Sequence, residues 1–204
     1  MLQHSIIPVG SYCVNCVVLR QGSSCIVVDP GQDADALISF MDERSLAPQA
    51  IILTHCHFDH IGGVPGLQAK YPALPVYAHP SDWPMLGHPM NQCPPEYPPV
   101  RRPGNLIDVR DAPKALPDFQ LRVLETPGHT PGSVCLMFGD LLLSGDTLFA
   151  GSCGRTDFPG GSMSQMRTSL AALAALPPGT SVVPGHGPST TIGQEVATNP
   201  FMER

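Results

Sequence analysis

Apolar residues in this chain fall into short runs separated by turn formers. Residues 14–19 and 25–29 are two such runs joined by Arg-Gln-Gly-Ser-Ser, a hairpin signal. Over 33–44 the period becomes helical, with Ala34, Leu37, Ile38 and Met41 on one stripe and Asp33 placed to cap it. Residues 49–54 predict a buried strand, 63–70 a short helix stopped ahead of Pro72, and 75–78 a short strand. Strands resume at 106–109, 120–125, 133–138 and 141–145, the last two joined by a tight turn at Gly139-Asp140. Residues 162–176 predict an amphipathic helix. Ser162 and Gln165 form its capping box, Met163, Met166, Leu170 and Leu173 its buried stripe, and Pro177-Pro178 its end. A strand at 181–184 and a short helix over 191–198 follow. Two groups of strands, each followed by helices, predict two sheets packed face to face with helices outside.

Residues 80–104 break this pattern. Pro80, Pro84, Pro89, Pro94, Pro95, Pro98, Pro99 and Pro103 exclude regular structure from most of the segment. It reads as a long stiff loop lying over one face, where lids and substrate walls are found.

The bulk numbers narrow the function. A chain of 204 residues buries a core without staples and forms one domain or two small ones. Its net charge of −6, with no Lys/Arg run, argues against a nucleic-acid partner. No apolar stretch reaches membrane-spanning length, so no membrane partner is expected. The first residues lack a basic segment followed by an apolar one, so no secretory signal is expected. Seven cysteines, an odd number scattered through strands, point to reduced thiols and a cytoplasmic setting. Cys13 and Cys16 form a C-x-x-C, but a separation of three puts them on opposite faces of a strand.

The chemistry is concentrated at the end of the strand over 49–54. His55, His57, Asp59 and His60 supply four potential metal ligands within six residues, followed by Gly62-Gly63. Side chains two apart on an extended segment share a face, so His55 and His57 can grip one ion. Asp59 and His60 lie where the chain turns and can reach a second. Three later candidates each follow an apolar strand and are flanked by glycine: His129 in Thr-Pro-Gly-His, Asp146 in Ser-Gly-Asp-Thr and His186 in Pro-Gly-His-Gly. Strand ends collect at one sheet edge, so these residues can converge with the first four. Cys56 should point away from the ions, and His4, His79 and His88 show no partner pattern.

The pattern His55-x-His57-x-Asp59-His60 … His129 … Asp146 … His186 resembles the metallo-β-lactamase fold, and the resemblance covers nearly the whole chain as one domain, 1–204. It implies a four-layer αβ/βα sandwich of two mixed sheets with outer helices. It also implies that His55, His57 and His129 hold one metal, that Asp59, His60 and His186 hold the other, and that Asp146 bridges them. Two divalent ions are expected, zinc first, with iron or manganese also suited to His/Asp sites. Ser-Gly-Asp146-Thr, the loop Gly151 to Phe158 and the ending from Gly185 resemble short, single-domain glyoxalase II proteins. Full-length glyoxalase II carries a further C-terminal helical domain and a glutathione-contacting tyrosine; here that loop has Asp157-Phe158.

The resemblance implies a thiolester hydrolase acting on a small acyl-thiol such as S-lactoylglutathione, through a hydroxide between two metals. Asp59 would orient that water and Asp146 would share the metals; both are the catalytic candidates. Arg155 is the candidate grip for a substrate carboxylate. Asp29 and Thr54 are candidates for orienting the ligand histidines from behind. Two alternatives stay open. Gly154-Arg-Thr-Asp-Phe158 also resembles the loop of persulfide dioxygenases, which would hold one iron on His55, His129 and Asp146. A lactone or lactam hydrolase would differ in which carbonyl fits under the Pro-rich segment.

Overall fold

The computed structural model describes residues 2–91 and 100–202. The chain begins with an antiparallel meander of β1 (Gln3–Val9), β2 (Val14–Gln21) and β3 (Ser24–Val28). Helix α1 (Ala34–Glu43) crosses to β4 (Ala47–Ile52), which lies parallel to β3. Short helices α2 (Phe58–Ile61) and α3 (Val64–Lys70) lead to β5 (Val76–Ala78), and β6 (Leu106–Asp108) follows the Pro-rich segment. These strands form a six-stranded sheet in chain order. One turn of helix, α4 (Ala112–Ala115), then passes to the second sheet.

That sheet is built from β7 (Leu121–Glu125), β8 (Val134–Phe138) and β9 (Leu141–Gly145), all antiparallel. A small hairpin, β10 (Leu148–Phe149) and β11 (Ser152–Cys153), and helix α5 (Met163–Ala174) come next. Strand β12 (Ser181–Pro184) returns parallel to β9, and β13 (Thr190–Thr191) and α6 (Ile192–Thr198) follow. The order across the second sheet is β13-β12-β9-β8-β7.

Strand alternation produces the layers. In β2, β3 and β4 the residues Val17, Leu19, Ile26, Val28, Ala50 and Ile52 face the second sheet, against Leu136, Phe138, Leu141 and Leu143. Their neighbours Val18, Cys25, Val27 and Ile51 face outward onto Leu37 and Met41 of α1 and Leu67 of α3. On the far side Cys135, Met137 and Leu142 meet Met166, Leu170 and Leu173 of α5. Central strands buried on both faces must be apolar at nearly every position, which is why β8 and β9 read as continuous runs. The predicted four-layer αβ/βα sandwich is the observed architecture. Among the described residues no helix is long and apolar enough to cross a membrane.

Several details differ from expectation: Met163, expected on the buried stripe of α5, is exposed, and Cys13 lies in the turn before β2 at φ 52 rather than on a strand with Cys16. Asp33 occupies the N-cap position of α1 as expected, but its side chain makes no cap bond: the residue sits in the left-handed region at φ 54 and its carboxylate accepts from the Gly10 amide at 2.8 Å. The cap bond is traded for a tie between the first meander and α1. The Pro-rich segment is not wholly irregular, since Pro80–Met85 and Pro89–Asn91 are 3-10 turns. Proline opens both turns, where its missing N–H costs nothing. The part of that predicted loop at 92–99 lies outside the described residues. Finally β1 has no counterpart in the apolar pattern. It is a sheet-edge strand, half exposed, and pairs through its backbone over seven residues. The capping box on α5 is present in its N-cap half, with Ser162 Oγ accepting from the Gln165 amide.

Candidate metal centre

Each predicted ligand sits just past the C-terminal end of a strand or on the turn that follows. His55 and His57 follow β4, and Asp59 and His60 lie in α2. His129 follows β7, Asp146 follows β9 and His186 follows β12. Because β3 and β4 run parallel, as do β9 and β12, their ends collect on one edge of the sandwich. There the seven residues form three overlapping trios: His55, His57 and His129; Asp59, His60 and His186; and His55, His60 and Asp146. Within each trio the candidate ligand atoms lie within 4.8 Å of one another.

Asp146 stands between the first two trios. One carboxylate oxygen is 3.4 Å from His60 Nε2, and the other is 3.5 Å from His129 Nε2 and 3.7 Å from His186 Nε2. Asp59 Oδ2 is 3.3 Å from His186 Nε2. His57 Nδ1 and His129 Nε2 approach to 2.8 Å. Among the described residues four buried side-chain polar atoms have no hydrogen-bond partner; three of them, His55 Nε2, His60 Nε2 and Asp146 Oδ1, are in this cluster, and the fourth is His79 Nε2. An orphaned buried polar atom costs roughly 1–3 kcal/mol. Three in one cavity, all of ligand type, fit divalent cations better than they fit an apolar core.

The protonation states agree with that fit. Burial, and then the surrounding imidazoles of His60, His129, His57 and His186, push His55 far below its usual value. Burial and His129 bring His57 down to about 3. Burial would raise Asp146, but His60, His129 and His186 outweigh it and hold the carboxyl at about 2. Burial would likewise raise Asp59, and His60 and His186 outweigh it. Neutral imidazoles and ionised carboxylates are the forms that bind metal. His60 and His186 are the exceptions: burial opposes the charge of both, but Asp146, Asp29 and Asp59 raise His60 well above its usual value, and Asp59 and Asp146 raise His186. A cation among those carboxylates answers the same charge that the proton answers here.

A further ring of contacts sets the imidazoles. Asp29, itself at φ 50, accepts from Thr54 N at 2.7 Å, from Thr54 Oγ1 at 2.6 Å and faces His60 Nδ1 at 3.0 Å. Thr54 Oγ1 lies 3.2 Å from His55 Nδ1. His129 Nδ1 meets the Arg155 carbonyl at 2.7 Å, and His186 Nδ1 the Tyr12 carbonyl at 3.0 Å. With one ring nitrogen so occupied, the other is aimed at the cluster. Two glycines permit the approach. A Cβ on Gly31 would strike the Asp59 carbonyl, and one on Gly154 would strike the Asp146 carbonyl and the His129 ring.

Sequence reasoning missed Asp82. It lies in the first turn of the Pro-rich segment and is fully buried. One oxygen accepts from Cys56 N at 3.1 Å and Thr130 Oγ1 at 2.8 Å, and the other from Gly132 N at 2.7 Å. A single carboxylate thus joins the loop carrying His55 and His57 to the loop carrying His129. A lone acid among prolines gives no periodic signal, so only its burial reveals it. Cys56 points into the apolar core, as its position implies, and burial raises its thiol well above the usual value.

Above the ligands lies a cavity of about 580 Å³, lined by Tyr12, Phe58, Pro84, Met85, Phe158 and Pro159. His88, given no role by the sequence pattern, also lines it. Arg155 is on the wall, but its guanidinium is bidentate to Asp157 at 2.7 and 2.8 Å and lies 3.8 Å from the Phe158 ring.

Known proteins resemble this chain in sequence and fold. A model of the metallo-beta-lactamase superfamily matches residues 12–186. A probable metallo-hydrolase, YqgX, of Bacillus subtilis (strain 168) is 36% identical over 204 residues, 96% of this chain and 95% of its own. A hydroxyacylglutathione hydrolase of Enterobacter sp. (strain 638) is 37% identical over 163 residues, 79% of this chain and 57% of that protein. The BLEG-1 B3 metallo-beta-lactamase superposes with a TM-score of 0.86 at 36% identity, over 98% of this chain and 99% of that one. TTHA1623 in a di-iron-bound form has the same TM-score and identity over 97% of this chain and 99% of its own. Likeness over nearly the full length, on a fold whose strand ends deliver this ligand set, makes the chain a member of the metallo-beta-lactamase superfamily and a metal-dependent hydrolase.

Proposed function

We propose that this hydrolase cleaves small acyl-thiols, in the manner of a hydroxyacylglutathione hydrolase, releasing a carboxylic acid and a thiol. The observation that carries the reading is the Asp146 carboxylate, whose two oxygens face His60 on one side and His129 and His186 on the other. Support also comes from the hydroxyacylglutathione hydrolase relative and from the di-iron form of TTHA1623.

In this reading His55, His57 and His129 would hold one divalent cation and Asp59, His60 and His186 a second, with Asp146 available to both. When bound, such ions acidify water toward neutral pH and place positive charge against a developing oxyanion. The residues of the chain do the rest. Asp59, on the pocket floor beside His186, orients the attacking water and accepts its hydrogen bond. Asp29 and Thr54 keep the His60 and His55 rings aimed inward. The rings of Tyr12, Phe58 and Phe158 line the cavity in which the thiolester would lie. Attack breaks the carbonyl–sulfur bond; the acyl carbon gains the water oxygen, one proton of that water passes to solvent, and the thiolate leaves and takes up a proton from solvent. No serine or cysteine nucleophile is needed.

The test is steady-state hydrolysis of S-lactoylglutathione and other thiolesters by purified protein whose metal content is measured. Two metals per chain and turnover well above the buffer blank are expected. Parallel arms use a lactone, a β-lactam, and glutathione persulfide with oxygen uptake recorded. Turnover confined to the lactam or lactone, or oxygen consumption on one iron per chain, would overturn the thiolester reading.

A further inference from the structure

We infer that the thiol half of the substrate is uncharged and apolar, so that the pocket selects against glutathione rather than for it. This deepens the acyl-thiol reading and rests on it.

The cavity walls are mostly rings and aliphatic carbon, from Tyr12, Phe58, Pro84, Met85, Phe158 and Pro159; His88 and Asn91 add polar groups, and Asn91 Nδ2 already donates to the Cys56 and Met85 carbonyls. Glutathione brings two carboxylates and an ammonium into any site that holds it. A carboxylate taken from water needs a cation or several donors in return. Among the described lining residues the one lysine or arginine is Arg155. Two of its three guanidinium nitrogens, Nε and Nη2, already bond the two oxygens of Asp157, and its planar face lies on Phe158 at 3.8 Å. A substrate carboxylate could displace Asp157, but that exchanges one carboxylate for another and strands Asp157 beside the newcomer. It would also take the guanidinium off Phe158.

The floor of the cavity adds Asp59 and Asp146, which repel anions until cations cover them. Residues 92–99 read Gln-Cys-Pro-Pro-Glu-Tyr-Pro-Pro and bring a glutamate and no lysine or arginine, wherever they lie. The chain as a whole carries −6.

Arg155 therefore has a different task from the carboxylate grip its position in the loop first indicates. With Asp157 it clamps the Phe158 ring, whose edge meets His57 with centroids 5.7 Å apart. Phe158 becomes an aromatic wall directly over the ligand cluster. A benzylic or aliphatic group on sulfur would lie against it. The volume, about 580 Å³, suits a ligand of that size.

The experiment holds the acyl group constant and varies the thiol. Lactoyl thiolesters of glutathione, of N-acetylcysteamine and of benzyl mercaptan are compared on the metal-loaded full chain. The benzyl ester is expected to exceed the glutathione ester at least tenfold in kcat/KM, mostly through KM, with the neutral polar ester between. In Asp157→Asn, which frees Arg155 from its carboxylate, the glutathione ester should gain several-fold while the benzyl ester does not. Phe158→Ala should cost the benzyl ester most. A glutathione ester equal to or better than the benzyl ester overturns the inference and leaves the thiolester reading intact. If no ester turns over, the thiolester reading fails. Titration with benzyl methyl sulfide and S-methylglutathione then decides the pocket's preference, and tighter binding of the glutathione derivative overturns it.

Discussion

Replacing Asp82 with alanine should unbolt the two histidine-bearing loops from each other. The carboxylate is fully buried and holds the amides of Cys56 and Gly132 and the Thr130 hydroxyl. Alanine leaves both amides without an acceptor in a dry place, at roughly 1–3 kcal/mol each. Thr130 loses less, because its hydroxyl also has Ser133 Oγ at 2.8 Å. Relief from burying a carboxylate offsets part of the loss. A net destabilisation of about 3 kcal/mol follows, which for a chain of this size lowers Tm by about 6–12 °C. Asparagine can keep one amide partner but turns an NH2 toward the other, so it should lose about 1–3 kcal/mol. Urea unfolding of metal-free protein, followed by circular dichroism, measures both. An Asp82→Ala variant within 0.5 kcal/mol of wild type would refute the reasoning.

A pH dependence comes with the same residue. Burial raises the Asp82 carboxyl above its ordinary 3.8, although hydrogen bonds from Thr130, Cys56 and Gly132 work against that. The native state therefore binds this proton more tightly than the unfolded chain. The stability contributed by the group is present at acid pH, falls as pH rises from 3.8 through the native value, and is level above it. Asp82→Asn lacks this dependence, so the wild-type margin over it should narrow across that window.

Asp29→Asn disturbs the acceptor shared by Thr54 and His60 and should weaken metal binding about 10–100-fold in chelator competition; unchanged affinity would remove Asp29 from the orienting role. Gly154→Ala should abolish metal loading or folding, since its Cβ has no room beside the Asp146 carbonyl, whereas Gly104→Ala, with nothing within 4 Å, should behave as wild type. Exhaustive chelation should lower Tm as well as activity. Metal present at 100 times its Kd contributes about 2.7 kcal/mol, and a Tm indifferent to chelation would mean the cluster holds no ion.

The ligand set was legible because histidine and aspartate are crowded at strand ends and flanked by glycine, a pattern that packing alone does not require. The layers were legible because strands buried on both faces are continuously apolar and α5 keeps a helical stripe. Short or exposed elements were not. Strand β1 is held by backbone pairing to β2, which leaves no mark on its side chains. Arg155 was readable as a cation near the site, but its pairing with Asp157 two residues on depends on a loop geometry that spacing does not specify.

By itself the sequence determined which chemistry is available: five imidazoles and two carboxylates, each at the end of an apolar run. Tertiary structure alone decided that these ends meet on one edge, that Asp146 stands between two trios, and that a buried Asp82 ties their loops together. The physical reason is range. Hydrophobic periodicity is a local property set by which face of an element is dry. Convergence depends on parallel strand order and on contacts between residues up to 174 positions apart, such as His186 with Tyr12. No local pattern encodes such contacts.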